Sequence, residues 1–238
     1  MGIKDNYFLF NGFSSRDANL YVTGYGIYSM PVRDISKYTI DGKDGDLIVD
    51  NGRYKNNEIY YKCLIVGDLA DRYQKIKDII TSTHGYARLE DSFNPEFYRM
   101  AYCNGGLEPK IKGDYEGASF KLTFDCKPQL YYKSGEHAVI FEDYGKLHNP
   151  TTCIAKPLVR VYGVGTVSIG NDTIEILEND NYIDIDCDLK DAYCGNVNCN
   201  PKIKLLSGEF FKLTTGENGV SLGSGITKVE ITPRFYTI

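Results

Sequence analysis

Asp68-Leu69-Ala70-Asp71-Arg72-Tyr73-Gln74-Lys75-Ile76-Lys77-Asp78-Ile79-Ile80-Thr81-Ser82 is the stretch that decides the fold class. Its apolar residues Leu69, Tyr73, Ile76, Ile79 and Ile80 recur at helical spacing with charges between them, which predicts an amphipathic helix of three to four turns. Asp68 stands where an N-cap belongs, and Gly85 follows the end. His84 abuts that glycine, where a cation favours the helix dipole, so a capping role is expected of it.

Outward from this helix the sequence changes period. Short apolar runs separated by Gly, Asn and Asp read as strands at Tyr7–Phe10, Glu58–Val66, Ser119–Cys126, Leu158–Tyr162, Thr166–Ile169, Thr173–Leu177, Tyr182–Cys187 and Lys228–Pro233. Thr173-Ile174-Glu175-Ile176 and Ile183-Asp184-Ile185-Asp186 alternate strictly, the pattern of a strand with one wet face. One helix among strands packs on a sheet or covers its edge, so the first part is α+β and the whole chain mainly β. A boundary is expected near Pro128–Ser134, giving domains 1–130 and 131–238. The final segment, Ile226–Ile238, either closes the second domain or returns to the first.

The 238 residues suffice for two cores. Twenty tyrosines and no tryptophan suit half-buried strands and protein interfaces. Of the net charge of −5, residues 1–130 hold little, with 17 Lys/Arg against 18 Asp/Glu, whereas the rest is mildly acidic, with 10 against 14. Neither half offers the basic face that nucleic-acid binding requires. MGIKDNYFLF has no apolar run of signal-peptide length, no stretch reaches membrane-spanning length, and Met1-Gly2 lacks the Ser/Thr of a myristoylation signal. The chain is therefore expected to be made in a cytoplasm and to leave it, if at all, by lysis. Seven scattered cysteines are expected to be free thiols.

Several constellations invite a sharper reading and fail on a stated requirement. Asp41-Gly42-Lys43-Asp44-Gly45-Asp46-Leu47 alternates carboxylates like a calcium loop, but the twelfth position is Gly52 where a bidentate Glu is needed, so a hairpin tip or long-loop turn is expected. Cys187, Cys194 and Cys199, even with Asp186 or Asp191, lack the close pairing of a structural zinc site. His84, His137 and His148 lie in no nucleophile elbow, HExxH helix or triad context. Gly163-Val164-Gly165 precedes no helix and is not a phosphate loop. No catalytic residue, cofactor site or metal site is assigned, and assembly rather than catalysis is expected.

The order of segments resembles the siphophage distal tail protein (Dit) family. Phe8-Leu9-Phe10-Asn11-Gly12-Phe13-Ser14-Ser15-Arg16-Asp17 with Leu20-Tyr21-Val22 looks like the family's first strand and turn, and Asp44-Gly45-Asp46-Leu47 with Tyr54-Lys55-Asn56 like its next signature. The helix leading into Gly85-Tyr86-Ala87-Arg88-Leu89-Glu90-Asp91-Ser92 and Pro95-Glu96-Phe97-Tyr98-Arg99 matches best. Later come Asn149-Pro150, Ala155-Lys156-Pro157-Leu158, Tyr162-Gly163-Val164-Gly165, Ile183-Asp184-Ile185-Asp186-Cys187, Gly208-Glu209-Phe210-Phe211 and Ile231-Thr232-Pro233-Arg234.

The resemblance implies a tail-tube-like first domain that forms a hexameric ring and a galectin-like β-sandwich outside it. It also implies a virion location and two partners, the tail tube protein and the tail-associated fibre or lysin protein. The candidate subunit-interface residues are Asp41, Asp44, Gly45 and Asp46, in the connection Asp34–Asp50. That connection, rich in glycine and carboxylate, is expected to offer little apolar surface and to dock through its charges. The rival reading is a carbohydrate-binding, receptor-recognising protein with the same sandwich. His148-Asn149-Pro150 faintly matches a lectin motif, but the arginine that should follow is missing.

Overall fold

In the computed structural model, which describes residues 6–103, 105–113 and 117–238, all eight expected strands are present, seven of them within two residues of their predicted ends. The chain divides between Leu130 and Tyr131 into two units, with Ile238 grouped with the first. Each unit has its own apolar core.

The first unit contains β1 (Phe8–Phe10), β2 (Phe13–Ser14), β3 (Leu20–Gly26), β4 (Arg33–Tyr38), β5 (Leu47–Tyr54), β6 (Asn57–Val66), α1 (Leu69–Ser82), β7 (Ala87–Asp91), β8 (Phe97–Tyr102), β9 (Lys110–Lys112) and most of β10 (Gly117–Tyr132). Its main sheet runs β2-β1-β7-β8-β10-β6-β3, with β9 also on β10. The ladder between β6 and β10 is antiparallel and ten pairs long, from Gly117↔Val66 to Cys126↔Asn57. Alternation along these strands sends Ile59, Tyr61, Cys63, Ile65, Phe120, Leu122 and Phe124 to one buried face. There Phe8 stacks on Tyr61 at 5.0 Å between ring centroids, and Phe10 meets Phe124 at 4.9 Å. Helix α1 adds the buried Ile76 and Ile80, each worth about 1.5–3 kcal/mol of burial, with Leu69, Tyr73 and Ile79 packed beside them.

Two helix-end expectations are corrected. Asp68 is left-handed (φ 43°, ψ 50°) and makes no side-chain capping bond, because an N-cap needs extended backbone to aim its carboxylate at the first amides. At the other end the Thr83 N–H and Oγ1 both donate to the Ile79 carbonyl, at 3.2 and 2.8 Å. Hydroxyls, not His84, meet the last turn. β10 also continues beyond its expected end at Cys126. The ladder with β6 stops there, so the missing N–H of Pro128 interrupts no bond to that neighbour.

The second unit contains the end of β10 and β11 (Val139–Phe141), β12 (Gly145–Asn149), β13 (Leu158–Gly163), β14 (Gly165–Ile169), β15 (Asp172–Ile176), β16 (Ile183–Asp186), β17 (Asp191–Cys194), β18 (Val197–Asn198), β19 (Ile203–Leu205), β20 (Gly216–Leu222), β21 (Ile226–Thr232) and β22 (Tyr236–Thr237). Two antiparallel sheets, β11-β21-β13-β16-β17-β18 and β12-β20-β14-β15-β19, enclose one core. Val159, Val161, Ile185 and Val229 from the first sheet meet Val167, Ile169, Ile174 and Val220 from the second, the arrangement of a β-sandwich. β21 lies inside this sandwich, pairing with β11 and β13. Gly163 is required where its loop passes the turn after β20, since an added Cβ would lie 2.2 Å from the Gly225 carbonyl oxygen.

The wet face expected of Ile183–Asp186 is dry. Asp184 and Asp186 are 5% and 3% exposed. Arg160 grips Asp184 through Nε and Nη2 at 2.7 and 2.8 Å, and Arg234 grips Asp186 through both terminal nitrogens at 2.8 Å. Bidentate guanidinium–carboxylate pairing makes such burial tolerable.

Candidate functional site

The surface that stands apart is a hairpin arm. β4 and β5 pair only with each other, as a separate two-stranded sheet, and no residue from Val32 to Asn56 is buried. The register runs Tyr38↔Leu47, Lys37↔Ile48, Ser36↔Val49 and Ile35↔Asp50, with a bulge between Arg33 and Ile35. The tip, residues 39–46, turns on Gly42 (φ 76°) and Gly45 (φ 80°), and the Lys43 N–H donates to the Ile40 carbonyl at 3.1 Å.

The arm's root is tied by charge. The Arg33 Nε meets Asp50 at 2.6 Å, and Arg33 also donates to the Tyr54 hydroxyl at 3.0 Å. Arg53 meets the other carboxylate, Asp34, at 2.7 Å, with Lys55 at 3.5 Å. The Arg53 hydrogen bond holds the Asp34 carboxyl below its ordinary range. At Asp50 the Gly52 amide and then Arg33 act in the same direction. Charge-assisted hydrogen bonds favour the ionised form in both cases.

The structure places the four interface candidates together at the tip, all exposed. Asp46 accepts a long 3.5 Å bond from Thr39, while Asp41 and Asp44 have no hydrogen-bond or ion-pair partner among the described residues. The calcium-like stretch is thus a solvated hairpin tip.

The expectation that this segment offers little apolar surface is corrected. Ile35, Tyr38, Ile40, Leu47, Ile48 and Val49 are all exposed along the arm, and Tyr28, Met30 and Val32 continue the series before β4. Tyr38, Leu47 and Val49 share one face, and Ile35 and Ile48 the other, because directly opposed residues in an antiparallel pair point the same way. The signal in the sequence is the consecutive run Leu47-Ile48-Val49 beside the tip's glycines and carboxylates, which puts apolar side chains on both faces of the strand. A two-stranded ribbon is marginal in isolation, and contiguous exposed apolar surface of this kind marks an interaction site.

Other candidate residues have internal duties. In the lectin-like triplet, Asn149 is 1% exposed; its Nδ2 donates to the Cys153 and Leu213 carbonyls, both at 2.9 Å, and its Oδ1 accepts from the Thr151 amide and hydroxyl. It clamps a loop and faces no ligand. His148 pairs with Glu217 on the surface. Of the zinc candidates, Asp186 is spent on Arg234, and burial pushes the Cys187 thiol up to about 12. All seven cysteines are unpaired thiols.

The fold defines a class: a mainly β chain in which a one-helix sheet unit bearing a hairpin arm precedes a β-sandwich. No family model matches the chain, and no curated protein matches it in sequence. Its fold is that of phage distal tail proteins, shared with the Dit protein (gp 19.1) of phage SPP1 at a TM-score of 0.73 and 14% identity, over 98% of this chain and 99% of that one. That protein is described as a paradigm of the hub adsorption apparatus in phages infecting Gram-positive hosts. Chains of the phage P2 baseplate in its activated conformation also match at TM-score 0.52 and 14% identity, covering 95% of this chain with calcium and 97% with strontium.

Proposed function

We propose that this chain is a structural virion protein that forms a hexameric hub at the distal end of a long non-contractile phage tail. Residues 1–130 form the ring, and residues 131–238 form a galectin-like sandwich outside it. The hub joins the tail tube to the tail-associated fibre or lysin protein, and its role is architectural rather than enzymatic. The observation that carries this reading is the hairpin arm, whose exposed apolar rows have no core of their own to join. The likeness to the SPP1 hub protein over nearly the full length of both chains supports it. Docking the arm on a neighbour buries those rows, and a closed ring repeats the same heterologous contact without leaving an open end.

Native mass spectrometry with negative-stain imaging of the purified chain tests the proposal. A six-membered ring is expected. A monomer at high concentration, or oligomerisation through an isolated 131–238 fragment while 1–130 stays monomeric, overturns it.

A further inference from the structure

The second unit contains a pocket of about 600 Å³, within the range of ligand sites, that nothing above uses. Its walls are apolar, from Ile154, Leu205, Phe210 and Phe211. Around them stand Lys156, Lys190 and Lys212, with Glu209 the one carboxylate in the lining. Lys156 pairs with Asp188 at 2.9 Å and Lys212 with Glu209, whereas Lys190 has no ion-pair or hydrogen-bond partner among the described residues. Cys187 also lines the pocket, and burial pushes its thiol up to about 12, so it adds no charge there near neutral pH. On a chain of net charge −5, this is a locally cationic, apolar concavity.

We infer that this pocket binds an extended peptide segment of a partner protein, one in which carboxylates alternate with aromatic or branched aliphatic side chains. Lys190, the lining lysine without a partner among the described residues, meets a carboxylate first. Lys156 and Lys212 add to it by exchanging their present partners, and the apolar walls take the side chains between. A peptide fits better than a small amphiphile because the apolar surface runs past the cavity: Ile154 is 50% and the neighbouring Leu206 48% exposed. Leu205 ends β19, the terminal strand of its sheet, whose outer edge pairs with no strand among the described residues. A segment added along that edge presents alternate side chains to one face, which is how strand addition combines backbone pairing with side-chain selection. A sugar fits less well. Ammonium groups only donate, so among the lining side chains its hydroxyls would find as acceptors only the Tyr236 hydroxyl and Glu209, which already serves Lys212.

The inference is independent of ring formation, and the test keeps the two apart. The full-length chain is panned against a displayed library of random dodecapeptides. Enriched sequences are then synthesised and titrated by fluorescence anisotropy against wild type, Lys190→Glu and Ile154→Asp. We expect acidic–aromatic alternation in the enriched peptides and affinity about tenfold weaker in each variant, a loss of roughly 1.4 kcal/mol, with melting temperature and oligomer mass unchanged. Enrichment without that pattern, or affinities that stay within about twofold of wild type in both variants, overturns the inference. So does a glycan-array signal abolished by the same two substitutions, which would assign the pocket to a sugar.

Discussion

Replacing Arg234 by Met should destabilise the second unit by about 3 kcal/mol, because it strands a buried charge. Asp186 is 3% exposed and receives two 2.8 Å bonds from Arg234, so the substitution leaves its carboxylate without a counter-ion. Breaking one side of a buried pair costs roughly 3–5 kcal/mol. The lower end applies here, since the Asp188 and Leu189 amides still donate to Asp186 at 3.0 and 3.1 Å. Backbone strain is unaffected, because Met inherits the left-handed φ of 55° that Arg234 already has. For a unit of this size the loss corresponds to a fall of about 12 °C or more in its melting temperature. The deficit should depend on pH. Burial pushes the Asp186 carboxyl up, but the hydrogen bonds from Arg234 and from the Leu189 and Asp188 amides outweigh it and leave the group below its ordinary range. A carboxyl depressed in the folded state contributes stability above its unfolded pKa of about 3.9 and loses that contribution as pH falls through the folded value. The gap between wild type and variant is therefore widest near neutrality and narrows below about pH 4. Asp186→Asn combined with Arg234→Met should recover much of the loss, because no charge is then left unpaired and the side-chain oxygen still accepts from the two amides. Calorimetry at pH 7 and pH 3 measures all of this. A deficit under about 1 kcal/mol, or one of equal size at both pH values, would refute the reasoning.

Three further outcomes are expected. Asp44→Ala with Asp46→Ala should weaken the proposed ring by roughly 2–5 kcal/mol if the carboxylates are buried and paired there, while leaving the monomer's melting temperature nearly unchanged; sedimentation showing an unaltered ring would remove them from the interface. Burial pushes the thiols of Cys63, Cys126 and Cys187 to about 12, so iodoacetamide at pH 8 should label none of these three in the native chain and all three in urea, as peptide mass spectrometry would show. EDTA should leave the melting temperature in place, whereas a bound structural metal would make it drop by the linkage RT ln(1 + [L]/Kd).

What could be read from the sequence is what neighbours along the chain determine. The helix over 68–82 announced itself because turns of 3.6 residues place Leu69, Tyr73, Ile76 and Ile80 on one stripe whatever they pack against. The strands did so through a period of two, and their order along the chain carried the resemblance to a tail-hub family. Tertiary structure decided what depends on distant partners. Asp184 and Asp186 look like a wet face until Arg160 and Arg234, 24 and 48 residues away in sequence, arrive to pair with them. Asn149 looks like a ligand-facing residue until Leu213, 64 positions on, takes its amide. The arm between Arg33 and Tyr54 carries apolar residues at the consecutive positions Leu47, Ile48 and Val49, as a strand buried on both faces would, and only the fold leaves both its faces without a sheet or core to cover them. Alternation selects which residues share a face of a strand; what that face meets is decided by the rest of the chain, because burial is a property of the neighbours and not of the residue.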